Sequence, residues 1–316
     1  MNKKDLEEVI ACLPKNRTVF RYAAGDYALL LLSRFVRKDM PVGRLRQSDY
    51  GRLLNKLPVK DVLSTVGNGR VSGNDFEYAW VENRQDFLLT LGSWNKKSFA
   101  YNQTTRNSGN LVLQVNFNTG HDSRFDKITG PAGKRCFANY GHPVLQQGER
   151  DYFRNTMAWV RMDIEFATGE VLIEEVQTDW LRNARYYLAS VKRAAKRSDV
   201  WLKELVSNGK VESVEDYVEQ MLAPYMKIWA EAALTAAIRF VVDELGIRSI
   251  YYHSFETGNA LKRIRYSYPP RSLYTDLPRR FCFRLTDEMP AMLTGSRMVK
   301  RKLKKVKQPC WHRLEI

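Results

Sequence analysis

The stretch from Met157 to Val191 limits the fold more than any other. MAWVRMDIEF (157–166) alternates apolar and polar residues, with Trp159, Arg161, Asp163 and Glu165 on one side. Thr168-Gly169 then makes a turn and EVLIEEV (170–176) follows as a second strand, so the segment reads as an antiparallel hairpin. From Thr178 the apolar spacing lengthens to that of a helix, with Leu181, Ala184, Tyr187, Leu188 and Val191 on one face. The polar residues of QTDW therefore lie where a strand hands over to a helix. Such junctions aim polar groups into a crevice.

A second such order follows. WAEAALTAAIRFVVDEL (229–245) reads as a long helix stopped by Gly246, IRSIYYHSF (247–255) as a buried strand, and ETGNALKRI (256–264) as the start of another helix. Strand, helix, strand predicts a parallel pair joined by a crossover, so the expected class is α/β (α+β): a mixed central sheet with flanking helices. Residues 1–65 read as helical, notably DYALLLLSRFVRK (26–38), and 73–91 mix strand-like aromatics with an apolar run. Three regions are expected: a small, mostly helical amino-terminal subdomain (1–91), an α/β core (92–295) in which LVLQVNF (111–117) is a strand, and a basic tail (296–316) that includes RMVKRKLKKVK. The tail is expected to be a mobile arm.

Charge narrows the partners. With 51 Lys and Arg against 35 Asp and Glu, the chain carries a formal +16, which favours polyanions and makes nucleic acid the expected partner. Lys300, Arg301, Lys302, Lys304 and Lys305 are the expected phosphate contacts. The four cysteines are far apart, so neither a zinc knuckle nor a disulfide framework is legible and a reducing cytoplasm is expected. No run approaches the roughly 18 apolar residues of a membrane span, and no membrane partner is expected. There is no metal-binding motif, P-loop, dinucleotide fingerprint or G-x-S-x-G elbow, so no metal and no cofactor is expected.

Candidate site residues cluster at the junction. Glu175, Gln177 and Asp179 alternate and share one face if the strand persists to Asp179, where two carboxylates roughly 7 Å apart can act as acid and base. The plain alternative is that Asp179 caps the helix. His142, beside Pro143 in a loop, is a candidate proton carrier near neutral pH, or a structural histidine. Trp180, Arg182 and Arg185 follow in the first helical turns and suit the substrate and its phosphate. Thr257, Gly258 and Asn259 form a second polar loop at the same sheet edge, either part of the crevice or a helix start capped by Thr257. His253 reads as an interior histidine.

EEVQTDW (174–180) resembles the E-[IV]-Q-[ST]-D-W signature of a domain found within large polyvalent proteins of phages and conjugative elements. The resemblance spans roughly residues 84–285: Tyr140-Gly141-His142, the strand 157–166, the signature, the helix opening at Trp229, and GIRSIYYHSFETG ending at Gly258. It implies a mobile element in conflict with a host or phage, and a protein partner from the same operon. The element order is also similar to that of Gcn5-related acyltransferases, whose glycine-rich pyrophosphate turn is replaced here by QTDWLRNAR. Two functions follow as expectations. One is an enzyme, a transferase or hydrolase, acting on a nucleotide or nucleic-acid-linked substrate by group transfer or glycosidic cleavage, with Glu175 and Asp179 moving protons and Gln177 orienting the substrate. The other is a non-catalytic nucleic-acid-binding accessory protein that works through its basic surface.

Overall fold

A computed structural model describes residues 1, 3–12, 18–94, 103–106, 108–138, 141–147, 153–266 and 268–316; Tyr140 lies outside them. Eight strands make one sheet: β1 (Thr18–Tyr22), β2 (Gln85–Trp94), β3 (Asn110–Asn116), β4 (Thr156–Glu165), β5 (Glu170–Gln177), β6 (Ser249–His253), β7 (Arg284–Thr286) and β8 (Trp311–Glu315). Their spatial order is β1-β2-β3-β4-β5-β6-β8-β7. Neighbours are antiparallel except β5 and β6, which run parallel from Glu170↔Ser249 to Ile173↔Tyr252. A parallel pair needs a long crossover. Helices α2 (Trp180–Ala195) and α3 (Ala223–Arg239) are its two longest elements, α1 (Asp26–Phe35) preceding them in the chain. The protein is a mixed α/β fold with a large, mostly antiparallel central sheet flanked by helices.

The alternation in β4 explains how both sheet faces are covered. Ala158, Val160, Met162 and Ile164 point into the main core, which also takes the alanine-rich side of α3 and Leu181, Ala184, Tyr187 and Val191 of α2. Trp159, Arg161 and Asp163 point to the opposite face, yet each is at most 2% exposed. That second face is closed by Trp94 and Val112 at one end. At the other end, Leu172, Tyr251 and Trp311 pack with α4 (Phe255–Lys262) and α6 (Arg297–Leu303) through Leu261 and Val299, α5 (Ser272–Arg280) lying between these two helices in sequence. Burying charged side chains on a covered face is costly unless each is paired. Here Arg161 is paired with Glu175 and Asp163 with Arg106.

Three expectations change. Residues 1–65 are not helical throughout: TVFRY forms β1 against β2, and the boundary expected between residues 91 and 92 falls inside β2. Tyr22, Tyr27 and Leu31 join the same apolar cluster as Val160, because an alternating Phe20/Tyr22 pair buries one face of a short strand. The 296–316 segment is not a mobile arm. Ser296 caps α6, Val299 and Lys302 are buried, and WHRLE enters the sheet as β8, since Trp311 and Leu314 supply apolar anchors after the basic run. Thr257, Gly258 and Asn259 are not a loop but lie in the first two turns of α4, capped by Ser254 rather than Thr257.

Candidate functional site

The site is built on a register shift. Arg161 pairs with Glu175 and Met162 with Ile173, so Glu174 is the extra residue of a β-bulge. Ile173 and Val176 both stay in the main core, while the two adjacent glutamates are both drawn to partners on the opposite face. The bulge falls where the parallel pairing of β5 and β6 stops. Beyond the last pair, the Glu174 carbonyl accepts from Lys262 Nζ (2.7 Å), so a lysine of α4 takes the place of the next interstrand bond.

Beneath this point lies a sealed network. Glu174 is fully buried and its carboxylate accepts from the Thr105 backbone N–H and hydroxyl, each at 2.9 Å, and from His253 Nε2 at 3.2 Å. His253 Nε2 also lies 2.9 Å from the Thr105 hydroxyl, while its Nδ1 has no partner among the described residues. The proton therefore sits on Nε2, and the imidazole is neutral because burial holds its pKa below the ordinary 6.5. Burial opposes ionisation of Glu174, but the His253 bond and the nearby charges of Arg161 and Lys262 outweigh it and bring its pKa to about 2. Burial lowers the pKa of Lys262, whose ammonium also donates to the Tyr274 hydroxyl at 3.0 Å. Arg161, fully buried, donates to Glu175 (2.9 Å), the Gln103 carbonyl (2.9 Å) and Asn110 (3.3 Å), and lies over the Trp94 ring.

A second histidine–carboxylate pair stands at the end of β5. Its Asp179 side chain is 1% exposed and accepts from His142 Nδ1 (2.7 Å), Gln177 Nε2 (2.7 Å), Trp159 Nε1 (3.1 Å) and the Arg182 guanidinium. Burial acts to raise the Asp179 pKa, yet the bonds from His142, Trp159 and Gln177 hold it below the usual carboxylate range. Gln177 Nε2 also approaches His142 Nδ1 at 3.1 Å. Since Nδ1–H donates to Asp179, the amide hydrogens of Gln177 go to the carboxylate. His142 keeps 35% of its side chain exposed, and its Nε2 makes no hydrogen bond to a described residue. A buried carboxylate that fixes one ring nitrogen and leaves the other open is the arrangement of a general acid–base.

The expected residues divide accordingly. His142, Gln177, Asp179 and Arg182 come together, but not through continued strand alternation: β5 ends at Gln177, and Asp179, at the N-cap of α2, makes no side-chain cap bond. Glu175 does not face Asp179 as a second proton carrier, because Arg161 holds it. Trp180 is 5% exposed; it donates to the Tyr217 hydroxyl and packs on Phe125 and Phe137, anchoring α2 to the core instead of lining a crevice. Arg185 is exposed on α2. Thr257 is buried and accepts from the Cys310 N–H, and Gly258 lies so close to His253 that an added Cβ would be 2.9 Å from its Cβ. Of the basic run, Lys300, Arg301, Lys304 and Lys305 are exposed, but Lys302 is buried with its ammonium on the Leu261 carbonyl. Sequence reasoning missed Glu174, Arg161, Thr105 and Lys262. Two adjacent acids in β5 beside an arginine in β4 signal Glu174 and Arg161, and no local pattern signals Thr105 or Lys262.

Among the described residues no group of three His, Cys, Asp or Glu side chains is placed to hold a metal ion, and no helix is long and apolar enough to cross a membrane. Comparison with protein-family models, curated proteins and solved structures gave no match to this chain.

Proposed function

We propose that the chain is an enzyme of acyltransferase-like architecture that moves a group on, or hydrolyses, a nucleotide or nucleic-acid-linked substrate, with His142 as its proton carrier. One observation carries the reading: an accessible imidazole whose Nδ1 is fixed by a buried, four-times hydrogen-bonded aspartate. In this scheme Nε2 takes a proton from the attacking group and returns it to the leaving group, while Asp179 fixes the tautomer and stabilises the imidazolium. Gln177 and Trp159 are positioning residues, and Arg182 with Arg185 faces the anionic part of the substrate.

The strand order supports the architectural part. An antiparallel series leads to β5, a helical crossover to parallel β6 follows, the two strands part at a bulge, and the last strand inserts beside β6. The turn after β5 fits an acyl-coenzyme pyrophosphate poorly, because Asp179 places a carboxylate at the start of α2 where phosphate would need donors. No step is derived through such a group. The setting in a mobile element or phage conflict is what the resemblance of EEVQTDW and the order of segments around it implies.

The test is a mass-spectrometric comparison of nucleotides and tRNA from cells expressing the wild type or His142→Ala. A species that changes only with the wild type is expected. Equal profiles at equal expression would sink the enzymatic reading and favour the accessory one, for which the exposed Lys300, Arg301, Lys304 and Lys305 speak.

A further inference from the structure

A groove of about 970 Å³ runs outside α4, away from the His142–Asp179 pair. Its size is at the upper end of ligand sites. One wall is aromatic: Phe255 and Tyr268 lie with ring centroids 6.1 Å apart, and Tyr268 is 58% exposed. The neighbouring Tyr266 is 85% exposed. The lining also includes Lys305 and Lys307, from a stretch (297–307) that contains seven Lys and Arg and no acid. Arg263 and Arg265, both exposed, precede the tyrosines. The lining acids are Glu256, which is bonded to Arg271 at 2.6 Å, and Asp287. Asn259 and Gln308 add amides able both to donate and to accept.

Each part alone is ordinary. Exposed lysines are usually just solvated, and a lone exposed tyrosine needs no explanation. Together, aromatic rings and ammonium groups lining one open groove form the combination that holds unpaired nucleotides: bases stack on the rings while the lysines take the phosphates. A duplex hides its base faces and would leave the tyrosines without a role.

We propose that this groove binds single-stranded nucleic acid, with Tyr268 as the stacking platform and Lys305 and Lys307 on phosphates. For the purpose of that binding, the inference rests on the reading of the chain as an enzyme of nucleic-acid-linked substrates. It places the polymer on α4, whose other side supports His253 and Glu174 through Gly258 and Lys262. Asn259 and Gln308 would give a modest base preference.

The experiment is fluorescence anisotropy with the full chain and labelled 12-nucleotide RNA, 12-nucleotide DNA and the matching duplex. Variants are Tyr268→Ala, Tyr268→Phe, Lys305→Ala/Lys307→Ala and, on the exposed face of α2 as a control, Tyr186→Ala. Single strands should bind more tightly than duplex, and the two single-strand arms tell RNA from DNA. Tyr268→Ala should weaken binding about 5- to 150-fold while Tyr268→Phe, which keeps the ring, stays near wild type. The double lysine variant should flatten the slope of log affinity against log salt by about 1.4. Tyr186→Ala should bind as wild type. Unchanged binding by Tyr268→Ala, or tighter binding to duplex, overturns the groove assignment. Because this assay reads no turnover, that result leaves the His142 reading standing, and equal nucleotide profiles for His142→Ala leave the groove standing.

Discussion

Two of the molecule's histidine–carboxylate pairs stand at neighbouring strand ends, and they differ in one respect, the exposure of the imidazole. Glu174 and His253 are both wholly buried, whereas Asp179 is buried and His142 is open. The sealed pair cannot exchange protons readily with a ligand, so its bonds fix a bulge and hold two strands apart. The open pair has the same chemistry with one ring nitrogen left toward the surface. Exposure of a single imidazole edge distinguishes the proposed proton carrier of one pair from the sealed ring of the other.

The sharpest way to break this contrast is Glu174→Ala. It removes one of the two carboxylates near Arg161 and Lys262 and leaves the Thr105 donors and the His253 ring without their acceptor, and should cost about 3–5 kcal/mol in urea unfolding. A loss below about 1 kcal/mol would mean that the sealed pair is not structural. His142→Ala is the counterpart on the open side. The cellular product should fall about 10²- to 10⁴-fold with unfolding nearly unchanged, and a collapse of stability instead would make this histidine structural as well.

Acid should separate the two pairs next. Glu174 has its pKa lowered from 4.5 to about 2, so its contribution is complete above about pH 4.5 and is lost as pH falls toward 2. The size of that loss is about 3 kcal/mol. His253, lowered by burial, has the same sign, beginning to lose its contribution below pH 6.5. Urea midpoints followed from pH 7 to pH 3 should drop more steeply for the wild type than for Glu174→Gln; parallel curves would refute the linkage. The smallest effect expected is for Gly258→Ala, which forces its methyl within 2.9 Å of the His253 Cβ and should cost about 1–3 kcal/mol. Neutral behaviour there would show that α4 is not packed tightly on the sealed pair.

Much of the frame was legible because long periodic segments report their own geometry. The 157–177 hairpin, α2, α3 and the parallel partner β6 all follow from spacing alone. The site was legible in its location and not in its wiring. Alternation counted from Gln177 puts Glu175 on the polar face, but counted from Leu172 it selects Glu174; the bulge makes both counts right, and it carries no residue signature in EEVQ. His142 reaches Asp179 across 37 positions, a distance that no local pattern spans. The run 297–307 looked like a tail because its charges outnumber its anchors, although Val299, Trp311 and Leu314 are enough to fold it.

The placement of β8 has a consequence for how the chain is made. β6 is covered on one edge by β5, but its other edge waits for Trp311–Glu315, which pair with it antiparallel from Trp311↔His253 to Glu315↔Ser249. A ribosome adding about 5–20 residues per second needs several seconds to produce the stretch between them. Through that interval Ser249–His253 presents an unpaired strand edge to its surroundings, and β7, already synthesised, cannot join the sheet because its only partner in it is β8. Nascent chains stalled in this window are where misassembly of this protein should concentrate.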